Sequence, residues 1–150
     1  ELFTQSEKPS ADGRKQKLAT QICLELSVHA KIEEEIFYPA CEGKVEEDLL
    51  KEAYVEHDGA KVLIAEILGS DGAGDDFFEA RVKLLHAQIG HHVGEEENRL
   101  EGMFSQARKA GIDMDALGEQ LASRKAELTA QFEAGGIPQP ELTTMSDVRV

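Results

Sequence analysis

Residues 29–40 read HAKIEEEIFYPA, and residues 91–98 read HHVGEEEN. In each stretch, a histidine is followed four residues later by a glutamate. The two pairs are His29 with Glu33 and His92 with Glu96. Because an α-helix repeats every 3.6 residues, positions i and i+4 lie about 40° apart on one face. Each pair therefore presents an imidazole nitrogen and a carboxylate oxygen toward the same point, which is how helical bundles hold metal ions.

A third histidine, His57, lies between these stretches, in VEHDGAKVLI at residues 55–64. Short loops make consecutive helices antiparallel neighbours, so residues equally far from a turn lie at the same level. His29 is 14 residues before Gly43, and His57 is 14 residues after it. The same comparison across the next loop places His92 within a few residues of that level. The three histidines are therefore predicted to meet in one layer of a bundle.

The composition predicts an all-α fold in a single domain. The chain has 150 residues, is 41% hydrophobic, and contains no Trp and only four Pro. Apolar residues at steps of three and four then define the helices. We predict helices at about 12–42, 46–68, 76–109 and 114–133. The bundle is expected to cover residues 12–134, followed by a flexible tail at residues 135–150.

The net charge restricts the class of partner. It is −14, from 30 acidic and 16 basic residues. A nucleic-acid or anionic-membrane partner needs clustered Lys and Arg, so neither is expected. The sequence shows no run approaching the ~18 apolar residues of a membrane span and no charged-then-apolar leader. Cys23 and Cys41 should lie ~27 Å apart on one helix, and two unpaired thiols favour the cytoplasm.

The helical repeat separates the residues of the two glutamate runs, and the two adjacent histidines, into those that point inward and those that face solvent. Only Glu33 and Glu96 are predicted to point inward, where an unpaired carboxylate would cost far more than a lost hydrogen bond. A bound metal would remove that cost. The remaining glutamates of the two runs are expected on solvated faces: Glu34, Glu35, Glu95 and Glu97. His91 stays ambiguous, because five residues to Glu96 is about 140° of rotation.

The combination of HxxxEEExFYPA, an EH pair about 25 residues later and HHxxEEE closely resembles the hemerythrin-like, HHE cation-binding family. The resemblance covers roughly residues 15–110. It implies an up-and-down antiparallel helical bundle that holds a non-haem di-iron centre, with histidines as terminal ligands and two carboxylates as bridges. Family roles include O₂ binding, sensing of O₂, NO or redox state, iron handling and peroxide consumption.

Matched by motif, the resemblance implies a role for each residue of the pattern. His29 looks like a terminal ligand and Glu33 like the first bridging carboxylate. His57 looks like the ligand from the second predicted helix. Glu96 looks like the second bridge, and either His92 or His91 accompanies it. The family's older spacing of five residues favours His91, whereas the HxxxE spacing and the apolar face favour His92.

Two departures from the family pattern affect the expected fold and site. The family has a further histidine on an earlier helix, and Glu1-Leu2-Phe3 resembles the end of that helix. Oxygen carriers also have a histidine four residues after the position of His57, where this chain has Lys61. We therefore expect a bundle whose first helix is missing from this chain and whose extra C-terminal helix lies at 114–133. The exposed apolar face would favour a homodimer or be covered by that helix.

The expected function is iron binding that serves a sensor, carrier or store for O₂, NO, peroxide or iron. A small diatomic molecule or peroxide would be the ligand. No hydrolase or transferase signature is present, so an enzymatic role is limited to consumption of peroxide or O₂ at the metal. The alternative is an acidic, metal-free interaction module in which the histidines only connect helices.

Overall fold

The computed structural model describes residues 12–70, 75–98, 102–139 and 141–144, which contain helices and turns and no strand. The elements, in chain order, are α1 (Asp12–Ile32), a π-helical turn π1 (Glu33–Phe37), α2 (Tyr38–Cys41), α3 (Glu47–Leu68), α4 (Phe78–Glu97), α5 (Met103–Lys109) and α6 (Met114–Gly135). The predicted all-helical bundle is confirmed. The predicted helix end at residues 1–3, and residues 140 and 145–150 of the predicted tail, lie outside the described residues.

The helices pack in a continuous order across the molecule. α3 contacts α1 on one side and α4 on the other, and α6 lies against the opposite side of α1. Small and branched side chains fill the interface of α1, α3 and α4: Ala19, Cys23, Ala60, Ile64, Ile67, Phe78, Val82 and Leu85. The C-terminal helix α6 thus covers an apolar face of α1 that would otherwise be open.

The contact between α6 and α1 is a separate apolar cluster. It consists of Leu24, Val28, Ile32, Leu128 and Phe132. Leu128 and Val28 are each 1% exposed. Complete burial of such a side chain contributes about 1.5–3 kcal/mol. The extra helix is therefore part of the hydrophobic core.

The first predicted helix contains an irregular turn close to its C-terminal end. The backbone N–H of Tyr38 donates to the carbonyl of Glu33, five residues earlier, which defines the π turn. One residue later, Pro39 has no N–H to offer to the carbonyl of Glu35, as a regular α-helix would require. The wider turn removes that conflict. It also changes which side chains share a face beyond Glu33.

The prediction of one continuous helix at 76–109 is wrong, because helical geometry is interrupted between α4 and α5. Asn98 leaves helical geometry at ψ 124°, and α5 begins after Gly102. A Cβ on Gly102 would lie 2.4 Å from the carbonyl oxygen of Asn98 and 2.8 Å from that of Glu96. The glycine thus permits this close approach of two backbone segments. Leu100, whose position four residues after Glu96 predicts the same inward face, lies outside the described residues.

No helix in the described part of the chain combines the length and apolar character needed to cross a bilayer.

Candidate metal centre

The inward-facing side chains of π1, α3 and α4 meet in the interior of the bundle. Glu33 is 4% exposed, and His57, His92 and Glu96 are each 2% exposed. His29, on the last turn of α1, is half-buried and lies at the edge of this group. The structure therefore brings five of the six predicted ligand residues together.

One carboxylate oxygen, Oε1 of Glu33, lies at the centre of the histidines. It is 3.0 Å from Nε2 of His57, 3.1 Å from Nε2 of His29 and 3.5 Å from Nε2 of His92. Histidines from the three helices α1, α3 and α4 thus converge on a single carboxylate oxygen. The predicted i, i+4 pairing of His29 with Glu33 is present within this arrangement.

The second pair lies directly across from the first. Nε2 of His92 is 3.0 Å from Oε2 of Glu96, and it is 3.1 Å from Nε2 of His57. The ligand-type atoms form two compact groups that share Glu33. These are Glu33 with His57 and His92, and Glu33 with His29 and Glu96. Two adjacent ions with a common carboxylate would fit this distribution.

The outer nitrogens of the two buried histidines both face carboxylates. Nδ1 of His57 is 2.8 Å from Glu34 Oε2, and Nδ1 of His92 is 2.7 Å from Glu56 Oε1. A carboxylate accepts a hydrogen bond from Nδ1–H and so favours the tautomer with a lone pair at Nε2, the form that binds a metal. Our prediction that Glu34 lies on a solvated face is wrong, because α3 packs over it.

The phenol of Tyr38 occupies the middle of the cluster, and our sequence analysis did not identify it. Its hydroxyl lies 2.8 Å from Glu96 Oε2, 3.2 Å from Glu33 Oε1 and 3.0 Å from Nε2 of both His57 and His92. In a regular α-helix, a residue five positions after Glu33 would point about 140° away from it. The π turn brings the two onto one face, and Pro39 was the sequence signal.

The charges of the two central carboxylates are set by opposing effects. Burial alone would raise the pKa of Glu33, but the surrounding imidazoles of His29, His57 and His92 outweigh it and hold that pKa well below its usual range. Burial also raises the pKa of Glu96, and the nearby charge of Glu33 raises it further, although His92 opposes this. The cluster therefore tolerates one carboxylate charge more readily than two.

The pKa values of the two buried imidazoles are both raised. Burial would lower the pKa of His92, but hydrogen bonds to Glu33 and Glu96 raise it to about 11. Burial likewise opposes protonation of His57, and hydrogen bonds to Glu33 and Glu34 raise its pKa. Without another cation, the carboxylates thus favour protonated imidazoles in the cluster.

His91 lies outside the cluster. Its side chain is 65% exposed, and its Nε2 is 3.3 Å from Glu56 and 3.4 Å from Glu95. The neighbouring His92 is turned inward by one helical step of about 100°. Of the two histidines left open by the sequence, the structure thus places His92 among the other ligand-type residues and His91 on the surface.

Two features of the cluster fit a bound metal. Nε2 of His29 is buried and makes no hydrogen bond within the described residues, because its 3.1 Å approach to Glu33 lacks hydrogen-bond geometry. The cluster also has more hydrogen-bond acceptors than protons if the imidazoles are neutral. The Nε2 atoms of His57 and His92, which lie 3.1 Å apart, and two carboxylates then share the single proton of one phenol. Buried acceptors without donors are costly, and a shared cation satisfies them.

A cavity of about 470 Å³ leads to this cluster from the side of α1 and α3. Its polar lining includes His29, His57, Glu34 and Lys61. Leu26, Ile64, Ile89 and Phe132 contribute apolar surface, and the segment Glu141–Thr143 forms part of its outer wall. Small molecules could therefore reach the half-buried His29 without displacing a helix.

Comparison with known proteins identifies the family. The hemerythrin HHE cation binding domain matches residues 1–104. A curated protein from Nostoc sp., named DNA nickase, is 30% identical over 99 residues, or 66% of this chain. This chain spans only 28% of that protein's length. No solved structure gives a significant match.

The family match includes the stretches that supply His29, Glu33, His57, His92 and Glu96. A His/Glu cluster in a cation-binding domain is suited to a metal ion, and the helical architecture agrees with the match. The chain therefore belongs to the hemerythrin HHE cation binding domain family.

Proposed function

We propose that this chain binds a pair of non-haem iron ions and responds through them to O₂, NO or peroxide. The observation that supports the proposal is the buried convergence of His57, His92 and Glu33, with two Nε2 atoms 3.1 Å apart. When neutral, two imidazoles with Nδ1–H held by carboxylates both direct lone pairs inward. Iron accepts imidazole nitrogen and carboxylate oxygen together.

The proposed pair of ions follows from the sharing of Glu33. This residue belongs to both groups of ligand-type atoms, so its carboxylate would bridge the two ions. Glu96 approaches the cluster from α4, and it would provide the second carboxylate shared by the two ions. His29 would be a ligand of one ion, and His57 and His92 would serve the other.

The protein ligands leave room for a small molecule. Lys61 stands where oxygen carriers of the family have a further histidine, and its Nζ donates to Glu34 Oε1 at 2.9 Å. It thus supports the carboxylate behind His57. With fewer histidines than a carrier, the site would hold iron through few imidazoles and two carboxylates, and that iron would supply redox chemistry beside the cavity at His29. This arrangement favours a responder or iron store over a reversible oxygen carrier.

The name DNA nickase describes the Nostoc protein, most of which has no counterpart in this chain. The net charge of −14 opposes binding to a phosphate backbone, which requires neutralising Lys and Arg. We therefore propose a metal-binding role for the shared region and no nucleic-acid contact. The two cysteines are free and buried, which suits the reducing cytoplasm that we propose as its location.

Iron reconstitution tests the proposal. Metal-free protein would be incubated with ferrous iron without oxygen, desalted and analysed for iron per chain. We expect nearly a pair of ions per chain, and a loss of most of the iron in Glu33→Ala. Glu95→Ala is the matched control, because Glu95 contacts only the outward His91 among the pairs described above. Far less than one ion per wild-type chain would overturn the proposal and leave the metal-free helical module.

A further inference from the structure

The segment Glu141–Thr144 lies against α3 beside the candidate metal centre. The backbone N–H of Thr143 donates to Asp58 Oδ1 at 2.9 Å, and that of Thr144 donates to Oδ2 at 2.6 Å. The hydroxyl of Thr144 adds a bond of 2.7 Å to the same Oδ2. We call this segment the strap.

Asp58 is the anchor of the strap, and its position links the strap to the centre. Its side chain is fully buried, and it follows His57 directly in α3. A buried carboxylate needs several donors, because each lost donor leaves a charge without compensation. Three of its donors come from the strap, and the ammonium of Lys61 lies 3.6 Å away. Docking of the strap therefore provides hydrogen-bond donors that the buried carboxylate of Asp58 requires.

Glu34 provides a second and more direct connection. Its Oε2 accepts from Nδ1 of His57 at 2.8 Å, if His57 carries its proton there. Its Oε1 accepts from the hydroxyl of Thr143 at 3.1 Å and from Lys61 at 2.9 Å. Lys61 in turn donates to the backbone carbonyl of Glu141 at 2.8 Å. One carboxylate thus holds the imidazole with one oxygen and the strap with the other.

We propose that the strap is a positioning element for the metal centre, and that strap docking and metal binding strengthen each other through Glu34. This inference rests on the proposed iron binding. Metal binding at Nε2 of His57 requires Nδ1–H to point at Glu34, and the docked strap holds Glu34 in the position that accepts it. Two events that favour the same arrangement are linked reciprocally, so each raises the equilibrium constant of the other.

The strap also forms part of the wall of the cavity beside His29, through Glu141, Leu142 and Thr143. A change at the metal that weakens the His57–Glu34 bond would therefore alter the contact between Glu34 and Thr143 at the cavity wall.

Three threonine variants test the coupling. Thr143→Ala removes the strap's hydroxyl bond to Glu34, and Thr143→Ser retains it. Thr20→Ala is the matched control, because the hydroxyl of Thr20 bonds only locally, to the carbonyl of Gln16, on an exposed face. Ferrous iron affinity would be measured without oxygen by competition with a chelator. Amide hydrogen exchange of residues 141–144 would be followed with and without iron.

We expect Thr143→Ala to weaken iron binding by roughly 3- to 10-fold, less than the loss of a direct outer partner of a ligand, and Thr143→Ser to restore it. Iron should slow amide exchange at Thr143 and Thr144 several-fold in the wild type. Equal iron affinity in Thr143→Ala and Thr20→Ala, or exchange unaffected by iron, would overturn the coupling while leaving iron binding intact. A wild-type protein that takes up no iron would overturn both proposals.

Discussion

The hydroxyl of Tyr38 donates a hydrogen bond to Glu96 Oε2 at 2.8 Å and so connects the end of the first helix to α4. This contact depends on the π turn, which brings Tyr38 onto the same face as Glu33. The phenol is 0% exposed. Its burial and the two neighbouring carboxylates raise its pKa far above the usual range, so it remains a donor in the metal-free protein.

Replacement of Tyr38 by Phe should destabilise the metal-free protein. The change leaves Glu96 without its shortest hydrogen bond, and a buried acceptor that loses its donor costs about 1–3 kcal/mol. Urea unfolding of the metal-free variant and wild type measures the difference. Tyr54→Phe is the control, because its ring packs edge-on against Tyr38 at 5.0 Å and is less buried. Equal stability of Tyr38→Phe and wild type would contradict the prediction.

The two adjacent histidines should differ sharply in their effect on iron content. His92 is buried against Glu33 and Glu96, so His92→Ala removes a proposed ligand and should lower iron affinity by more than the ~10–100-fold typical of outer partners. His91→Ala removes only surface contacts with Glu56 and Glu95. Iron per chain after reconstitution distinguishes them. If His91→Ala empties the site and His92→Ala keeps its iron, the family's older spacing applies.

Gly102→Ala should disturb the site from a distance. The new Cβ would lie 2.4 Å from the carbonyl oxygen of Asn98 and 2.8 Å from that of Glu96, so the end of α4 must move. Overpacking of this kind costs about 1–3 kcal/mol. Displacement of Glu96 should lower iron affinity as well.

The matched control for this change is Gly118→Ala. Gly118 lies within α6, and a Cβ there meets nothing within 4 Å. Alanine should stabilise that exposed helical position by about 0.5–1 kcal/mol. Thermal unfolding and iron content would be compared for both variants. A Gly102→Ala protein as stable as Gly118→Ala would show that the close backbone contact at position 102 relaxes without cost.

Iron uptake should release protons and become weaker at lower pH. The carboxylates raise the pKa of His92 to about 11, so its ring is protonated in the metal-free protein at neutral pH, and they also raise the pKa of His57. A metal binds only the neutral imidazole, and binding must therefore displace those protons. Calorimetry at pH 7 in buffers of different ionisation enthalpy counts them. Zero proton release would mean that the rings are already neutral.

The raised pKa of His92 also determines how the stability of the metal-free protein changes with pH. A pKa raised in the folded state means that protonation favours folding. The contribution of His92 in the metal-free protein should be fully present below its ordinary pKa of about 6.5 and should be lost as the pH rises toward 11. Chemical unfolding between pH 6 and pH 10 would measure it, with His92→Gln as the reference without a titrating ring. Identical pH profiles for the two proteins would contradict this assignment.

The helical periodicity of the sequence determined the fold class and the side chains that point into the bundle. The spacing of His29 and Glu33, and of His92 and Glu96, places each pair on one helical face whatever surrounds them. Equal distances from the first turn placed His57 level with His29, because the connecting loop is short. The all-helical architecture and the inward direction of the five clustered residues could thus be predicted from positions along the chain alone.

Only the tertiary structure decided the rest, because those features depend on contacts between segments that the helical repeat does not relate. Tyr38 reaches the cluster through a change of helical pitch that no fixed 3.6-residue repeat contains. Glu34 becomes the partner of His57 because α3 packs over it, and position 102 requires a glycine because its backbone lies against those of Asn98 and Glu96. Thr143 meets Glu34 across 109 residues of sequence. A one-dimensional pattern predicts which face a residue occupies, whereas packing in three dimensions determines what that face meets.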